Sequence, residues 1–299
     1  MGDILQQDEL TTIIQAAGGK CWALKYADAL LKKINCLEVA GGYETLIAQL
    51  RSAKEPGDFR GRVLEVNFAN LFVEKGVRLQ YGAKQGKPGD IDFCWCMSDH
   101  QVFIEMKLLG QDKQTKEEAN QQLEATGCCA TLISDDTRDV ARIQRDIFQK
   151  SSAIKFKAKS EPTWINLVAI DVSELQLGTV DIGDCLLAAG GNGLASRYCH
   201  SACLRPAIVG VFERKETLTD EQIDWVKRYH KVLSACESHP RDYLHGVLFL
   251  FRDPKERAAL SYQLSAAVVW NPALVDTLTG TEFCKSFHQI VPSSCSSPK

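Results

Sequence analysis

The chain has 299 residues, 45% of them hydrophobic and 24% charged, with a formal net charge of −3. Such a composition excludes a disordered or fibrous chain and is ample for a buried core in one large or two small domains. A slightly acidic balance also excludes a protein that coats nucleic acid by bulk electrostatics, so any phosphate contact has to rest on a local basic patch.

Residues 1–56 read as helical, with helices expected at 8–17, 21–34 and 43–53, separated by Gly18-Gly19 and Gly41-Gly42. Trp22, Tyr26, Leu30 and Ile34 recur at helical spacing as a packing face, so this segment is expected to form a cap or small bundle. Glu55-Pro56-Gly57 marks its boundary. Asp58 can then cap a helix over 59–75 that Gly76 stops. Leu64, Phe68, Leu71 and Phe72 make the apolar face of that helix, and Glu65 falls inside it. An ionised carboxylate there is costly unless a cation or hydrogen bonds meet it. Two readings stand: Glu65 faces a metal, or it pairs with Arg62 or a lysine. A first strand over 77–81 follows.

The run Pro88-Gly89-Asp90-Ile91-Asp92-Phe93 opens a strand expected over 91–97. Ser98-Asp99-His100 suits a turn, and 101–108 alternates as a second strand. Val102, Ile104, Met106 and Leu108 share one face; Gln101, Phe103, Glu105 and Lys107 share the other. With Asp99-His100 at the tip, Asp92 faces Lys107 and lies diagonal to Glu105. Like charges on one sheet edge repel, which a lysine relieves in part and a divalent cation relieves fully.

Further along, a helix over 115–125 and a short apolar segment at 129–134 precede a helix over 136–149. That helix turns Val140, Ile143 and Ile147 inward and carries Arg138, Arg142 and Arg145, diluted by Asp139 and Asp146. Lys150, Lys155, Lys157 and Lys159 follow it, as either a phosphate-contacting patch or a solvated face. The run 164–171 is a buried strand. The glycine-rich 188–193 lacks the lysine and setting of a nucleotide loop and is expected as a flexible loop. Strands are expected at 206–212 and 246–251, with a helix over 219–236 between them, and 292–299 is expected as a disordered tail. The C-terminal part, 173–291, either extends the same sheet or forms an accessory module. The twelve cysteines show no disulfide spacing and read as reduced small residues. Cys199-His200-x-x-Cys203, with Cys236 and His239, matches no zinc finger or ribbon. No apolar run reaches the roughly 18 residues of a membrane span, and no signal peptide opens the sequence. A cytoplasmic protein with no membrane partner is expected.

Gly61-x-x-x-Glu65 on a helix, then Asp92, a hairpin turn and Glu105-Met106-Lys107 resemble the PD-(D/E)XK nuclease superfamily over about residues 58–170. The resemblance implies an α/β fold: a restriction-endonuclease-like core over 57–172, with a mixed central sheet flanked by helices. It implies metal-dependent hydrolysis of DNA with Mg²⁺ or Mn²⁺. The ligands would be Asp92 and Glu105, the Met106 carbonyl and Glu65 as an outer ligand, with Lys107 orienting water or stabilising charge. Asp90 takes the place of Asp92 if Pro88-Gly89-Asp90 stands for the name-giving pair. Asp92 is preferred because it sits deeper in the strand. Gln121 or Gln122, with Lys150, Lys155 and Lys157, are the expected substrate contacts, and a homodimer would suit double-strand cutting. The alternatives are an inactive nuclease-fold binding or assembly module, and an unrelated α/β protein in which these residues form a structural ion-pair network.

Overall fold

Six strands form one mixed sheet whose spatial order is their order along the chain. β1 (Gln80–Ala83), β2 (Ile91–Met97) and β3 (His100–Leu108) make an antiparallel meander. β4 (Trp164–Asp171) pairs parallel with β3, β5 (Gly246–Arg252) parallel with β4, and β6 (Leu264–Trp270) antiparallel with β5. The structure is a computed structural model. It describes residues 23–85, 89–97, 99–110, 136–151, 155–156, 163–175, 180–197, 205–230, 238–252 and 262–294, with 117, 118, 121, 122, 124 and 125 between them. The expected helix at 8–17, the segment at 129–134, Lys157, Lys159, Cys199, His200, Cys203, Cys236 and the end of the tail lie outside the described residues.

Helices cover both faces of the sheet. α1 (Ala23–Ala40), α2 (Glu44–Ser52) and α3 (Pro56–Glu74) precede it, and α4 (Asp136–Lys150) connects β3 to β4. α5 (Ile182–Gly190), the four-residue α6 (Asn192–Ala195) and α7 (Asp220–Tyr229) lie between β4 and β5, and α8 (Thr277–Phe287) follows β6. On one face Phe93, Trp95, Ile104, Leu167 and Leu248 share a core with α1, α2, α3 and α8. On the other, Phe103, Val168, Ile170 and Phe249 share a core with α4, α5 and α7. The parallel connection through α4 explains this burial: a crossover helix packs back onto the sheet, so β4 is buried along nearly its whole length.

The N-terminal helices are therefore one wall of the sheet's own core. α1 continues past Ile34 because Leu37 extends its buried face. α3 begins at Pro56 rather than after Asp58; Pro56 occupies its first turn, where the missing N–H costs nothing, and Glu55 is its cap. The C-terminal part extends the same sheet through β5 and β6. Two expectations there are corrected. Residues 206–212 are not a strand: the Val211 and Phe212 N–H groups bond to the Ala188 and Ala189 carbonyls at the end of α5, so this apolar run is buried against a helix terminus. The glycine-rich 188–193 is not a loop but the junction of α5 and α6, where Gly191 takes a φ of 75°. α7 is also shorter than expected, ending at Tyr229.

Cys36, Cys94, Cys96, Cys185 and Cys284 are free thiols. Burial, then the neighbouring Cys96, pushes the Cys94 thiol up to about 12, far from a reactive thiolate. Among the described residues no helix is long and apolar enough to cross a membrane.

Candidate active site

The β2–β3 ladder runs from Met97↔His100 to Phe93↔Ile104 and stops there. The turn thus comes one residue earlier than expected. Asp92 stands level with Glu105, and Lys107 is the diagonal neighbour. Beyond Phe93 the ladder is replaced by a side chain: Asp92 Oδ2 accepts the Met106 N–H at 2.7 Å. In an extended strand the N–H and carbonyl of one residue face the same side, so the Met106 carbonyl also points toward Asp92. Asp92 sits where the sheet opens between β2 and β3, within electrostatic reach of Glu65 on α3 and of Glu105.

Glu105 shares the sheet face of Phe103, on the side covered by α4, and is fully buried. Its Oε1 accepts from Lys150 Nζ at 2.8 Å, at the end of α4, and from Lys155 Nζ. Its Oε2 is buried with no hydrogen-bond partner among the described residues. Burial, then the charge of Asp92, holds the Glu105 carboxyl above the usual range in spite of both lysines. Burial pulls Lys150 the other way, but Glu105, Asp92 and Glu65 outweigh it and hold the ammonium above its ordinary value.

Glu65 comes from the α3 side. Arg62 Nη1, one turn earlier, lies 2.8 Å from both Glu65 carboxylate oxygens and 2.9 Å from the Tyr81 hydroxyl. Tyr81 stands 2.9 Å from Glu65 Oε2 and 2.7 Å from Gln49 Oε1; with one proton it donates to one of them at a time. Despite these partners the Glu65 carboxyl is pushed up to about 7, by burial first and then by Asp92. The pairing with Arg62 and the approach to Asp92 coexist, so the two sequence readings of Glu65 do not exclude each other. Gly57, Gly61 and Glu65 share one helix face. With Met106 and Lys107 from β3 and Lys150 from α4, they line an open cleft of ≈ 170 Å³. A Cβ at Gly57 or Gly61 would meet nothing within 4 Å.

The remaining expected site residues are placed as follows. Lys107 is half-buried and makes no ion pair among the described residues; its charge is felt by the buried Asp146 of α4. Asp90 is exposed and pairs with Lys84 at 3.3 Å. Gln121 is helical and exposed. Lys150 and Lys155 come to Glu105 itself. Tyr81, Gln49 and Asp146 were not expected. Tyr81 had a readable signal, a polar hydroxyl on the strand next to the aspartate strand; Gln49 and Asp146 had none, since both meet the site only through tertiary packing.

The donors near Asp92 are oxygens: carboxylates of Asp92, Glu105 and Glu65 and the Met106 carbonyl. Oxygen donors suit Mg²⁺ or Mn²⁺, and Glu105 Oε2, without a partner among the described residues, is an atom such an ion would satisfy. Glu65 and Glu105 are nonetheless held by cationic side chains, and among the described residues no three acidic, His or Cys side chains are gathered closely enough to form a ready-made metal group. Comparison with family models, curated proteins and solved structures finds no match for this chain.

Proposed function

We propose that this chain is a metal-dependent deoxyribonuclease with a restriction-endonuclease-like core over α3, β1–β3, α4 and β4. The observation that carries the reading is the break in the β2–β3 ladder. There Asp92 takes the Met106 N–H within electrostatic reach of a helix-borne glutamate and of a fully buried one, whose Oε2 has no partner among the described residues. The order of glutamate helix, aspartate strand and Glu-x-Lys strand supports it, as does the mixed sheet.

Asp92, Glu105 and the Met106 carbonyl would hold Mg²⁺ or Mn²⁺, which when bound lowers the pKa of a water and polarises a phosphoryl oxygen. The chain's own groups then divide the remaining work. Glu65, buried on the α3 side within electrostatic reach of Asp92, would hold a metal-bound water as an outer ligand. Lys107 presents an ammonium, free of ion pairs among the described residues, to negative charge developing on the phosphate. Gly57 and Gly61 leave a bare helix wall along which a phosphodiester strand can approach. In hydrolysis the water hydroxyl joins phosphorus, the bond to the leaving oxygen breaks, and that oxygen takes a proton.

The test is cleavage of supercoiled, linear, single-stranded and branched DNA with Mg²⁺, by the wild type and by Glu105→Ala and Lys107→Ala variants shown to be folded. Cleavage lost in both variants supports the reading. Cleavage retained in both, or no cleavage of any substrate by the wild type, removes it. A second reading, a nuclease-fold binding module without turnover, is favoured by the cations already seated on Glu65 and Glu105; it predicts saturable DNA binding with no product.

A further inference from the structure

Lys150 and Lys155 reach one oxygen of Glu105 from two places, the last residue of α4 and a position five residues later. The Glu105 side chain is 0% exposed, whereas those of Lys150 and Lys155 are 29% and 27% exposed. The acid is fixed in a central strand, while each ammonium rides on a flexible stem with a route to solvent. With the acids ionised, charge is balanced: the carboxylates of Glu65, Asp92 and Glu105 face the cations Arg62, Lys150 and Lys155, and Lys107 is offset by Asp146. A divalent ion added to that set would leave an excess of two positive charges, and the departure of two ammoniums would remove it. Arg62 cannot be one of them as easily, because it is also bonded to Tyr81. Of the two Glu105 oxygens, Oε1 carries both lysines and Oε2 has no partner among the described residues, so an ion can gain a first foothold before either lysine leaves.

We propose that Lys150 and Lys155 are resident cations that hold Glu105 in the metal-free protein, compete with the divalent ion for it, and pass on displacement to the phosphates of DNA. The proposal rests on reading the acidic cluster as a metal centre. It assigns both lysines a role that a plain surface patch would not have: metal and DNA bind with positive coupling, because phosphates that draw the ammoniums outward leave Glu105 to the ion. Reciprocity follows, with metal raising DNA affinity by the same factor.

Mn²⁺ is titrated calorimetrically into the full chain as wild type, Lys150→Gln, Lys155→Gln and Lys150→Arg. Each is first checked for folding by circular dichroism, with and without a phosphorothioate DNA duplex. Removing a like charge next to the ion is expected to tighten Mn²⁺ binding roughly tenfold in Lys150→Gln and Lys155→Gln. Lys150→Arg is expected to stay near wild type. Duplex DNA is expected to tighten Mn²⁺ binding to the wild type more than to either glutamine variant. Should Lys150→Gln fail to fold, the Lys155→Gln and DNA arms decide alone. Wild-type binding with equal or weaker binding in the glutamine variants overturns the lysine proposal and leaves the metal centre standing. No Mn²⁺ binding by any of the proteins overturns both.

Discussion

Replacing Glu65 with glutamine should change how stability depends on pH. The carboxyl rises from 4.5 to about 7 because burial and the Asp92 charge both disfavour its ionised form. Below about 4 the group is protonated in folded and unfolded chains alike. Between about 4.5 and 7 the folded chain keeps a proton that the unfolded chain has released, so its stabilising contribution falls as pH rises and is lost above 7. At about 1.36 kcal/mol per pH unit, that interval is worth roughly 3 kcal/mol. Glu65 is only 6% exposed, so solvent screening takes little from this figure. Glutamine does not titrate and still offers an oxygen to Arg62 and Tyr81. Urea denaturation at unit steps from pH 5 to 9 should show a wild-type decline over this window that Glu65→Gln lacks, leaving the variant more stable at pH 8 and above. Parallel curves for the two proteins would refute the reasoning. So would a wild type whose stability rises through the same window.

Three further outcomes follow from other parts of the fold. Gly61→Ala should stabilise the chain by about 0.5–1 kcal/mol, since a helix-interior glycine is replaced where a Cβ meets nothing; Gly61→Leu should stay folded in thermal melts while losing DNA cleavage, because its side chain fills the cleft. Arg252 is 4% exposed and pairs with Asp171 at 2.7 Å and Glu174 at 3.4 Å. Arg252→Met should cost about 3–5 kcal/mol in urea denaturation by leaving a buried Asp171 uncompensated, with part of the loss recovered on adding Asp171→Asn. Gly210→Ala should destabilise by about 1–3 kcal/mol in the same assay, because its Cβ would lie 2.1 Å from the Gly191 backbone nitrogen.

The elements that the sequence delimits well are those whose signals are local. The expected strand over 164–171 coincides with β4, and the expected helix over 136–149 falls one residue short of α4. A buried run bounded by loops and an amphipathic repeat each carry their limits within them. Glu65 was legible because a carboxylate interrupts an apolar helix face. The seating of Lys150 and Lys155 on Glu105 was not, since these contacts join residues 45 and 50 positions apart and leave no periodic trace. Nor could alternation reveal that Asp92 leaves the ladder to take a backbone N–H: the same pattern describes a strand that keeps its register. The run 206–212 misled for a related reason. Apolar composition says that a segment is buried, but only the fold decides whether its N–H groups meet a strand or the end of α5. β6 and α8 gave no prior expectation, although both complete the sheet and its covering layer.

The decisive observation is the anomalous scattering of Mn²⁺ soaked into crystals of the wild type and of Asp92→Asn. A single peak bonded to the carboxylates of Asp92 and Glu105, with Lys150 moved off Glu105, and no such peak in the variant, is the expected result. An empty wild-type site with Lys150 still on Glu105, or a peak that persists unchanged without the Asp92 carboxylate, would contradict the assignment of a metal centre to this opening in the sheet.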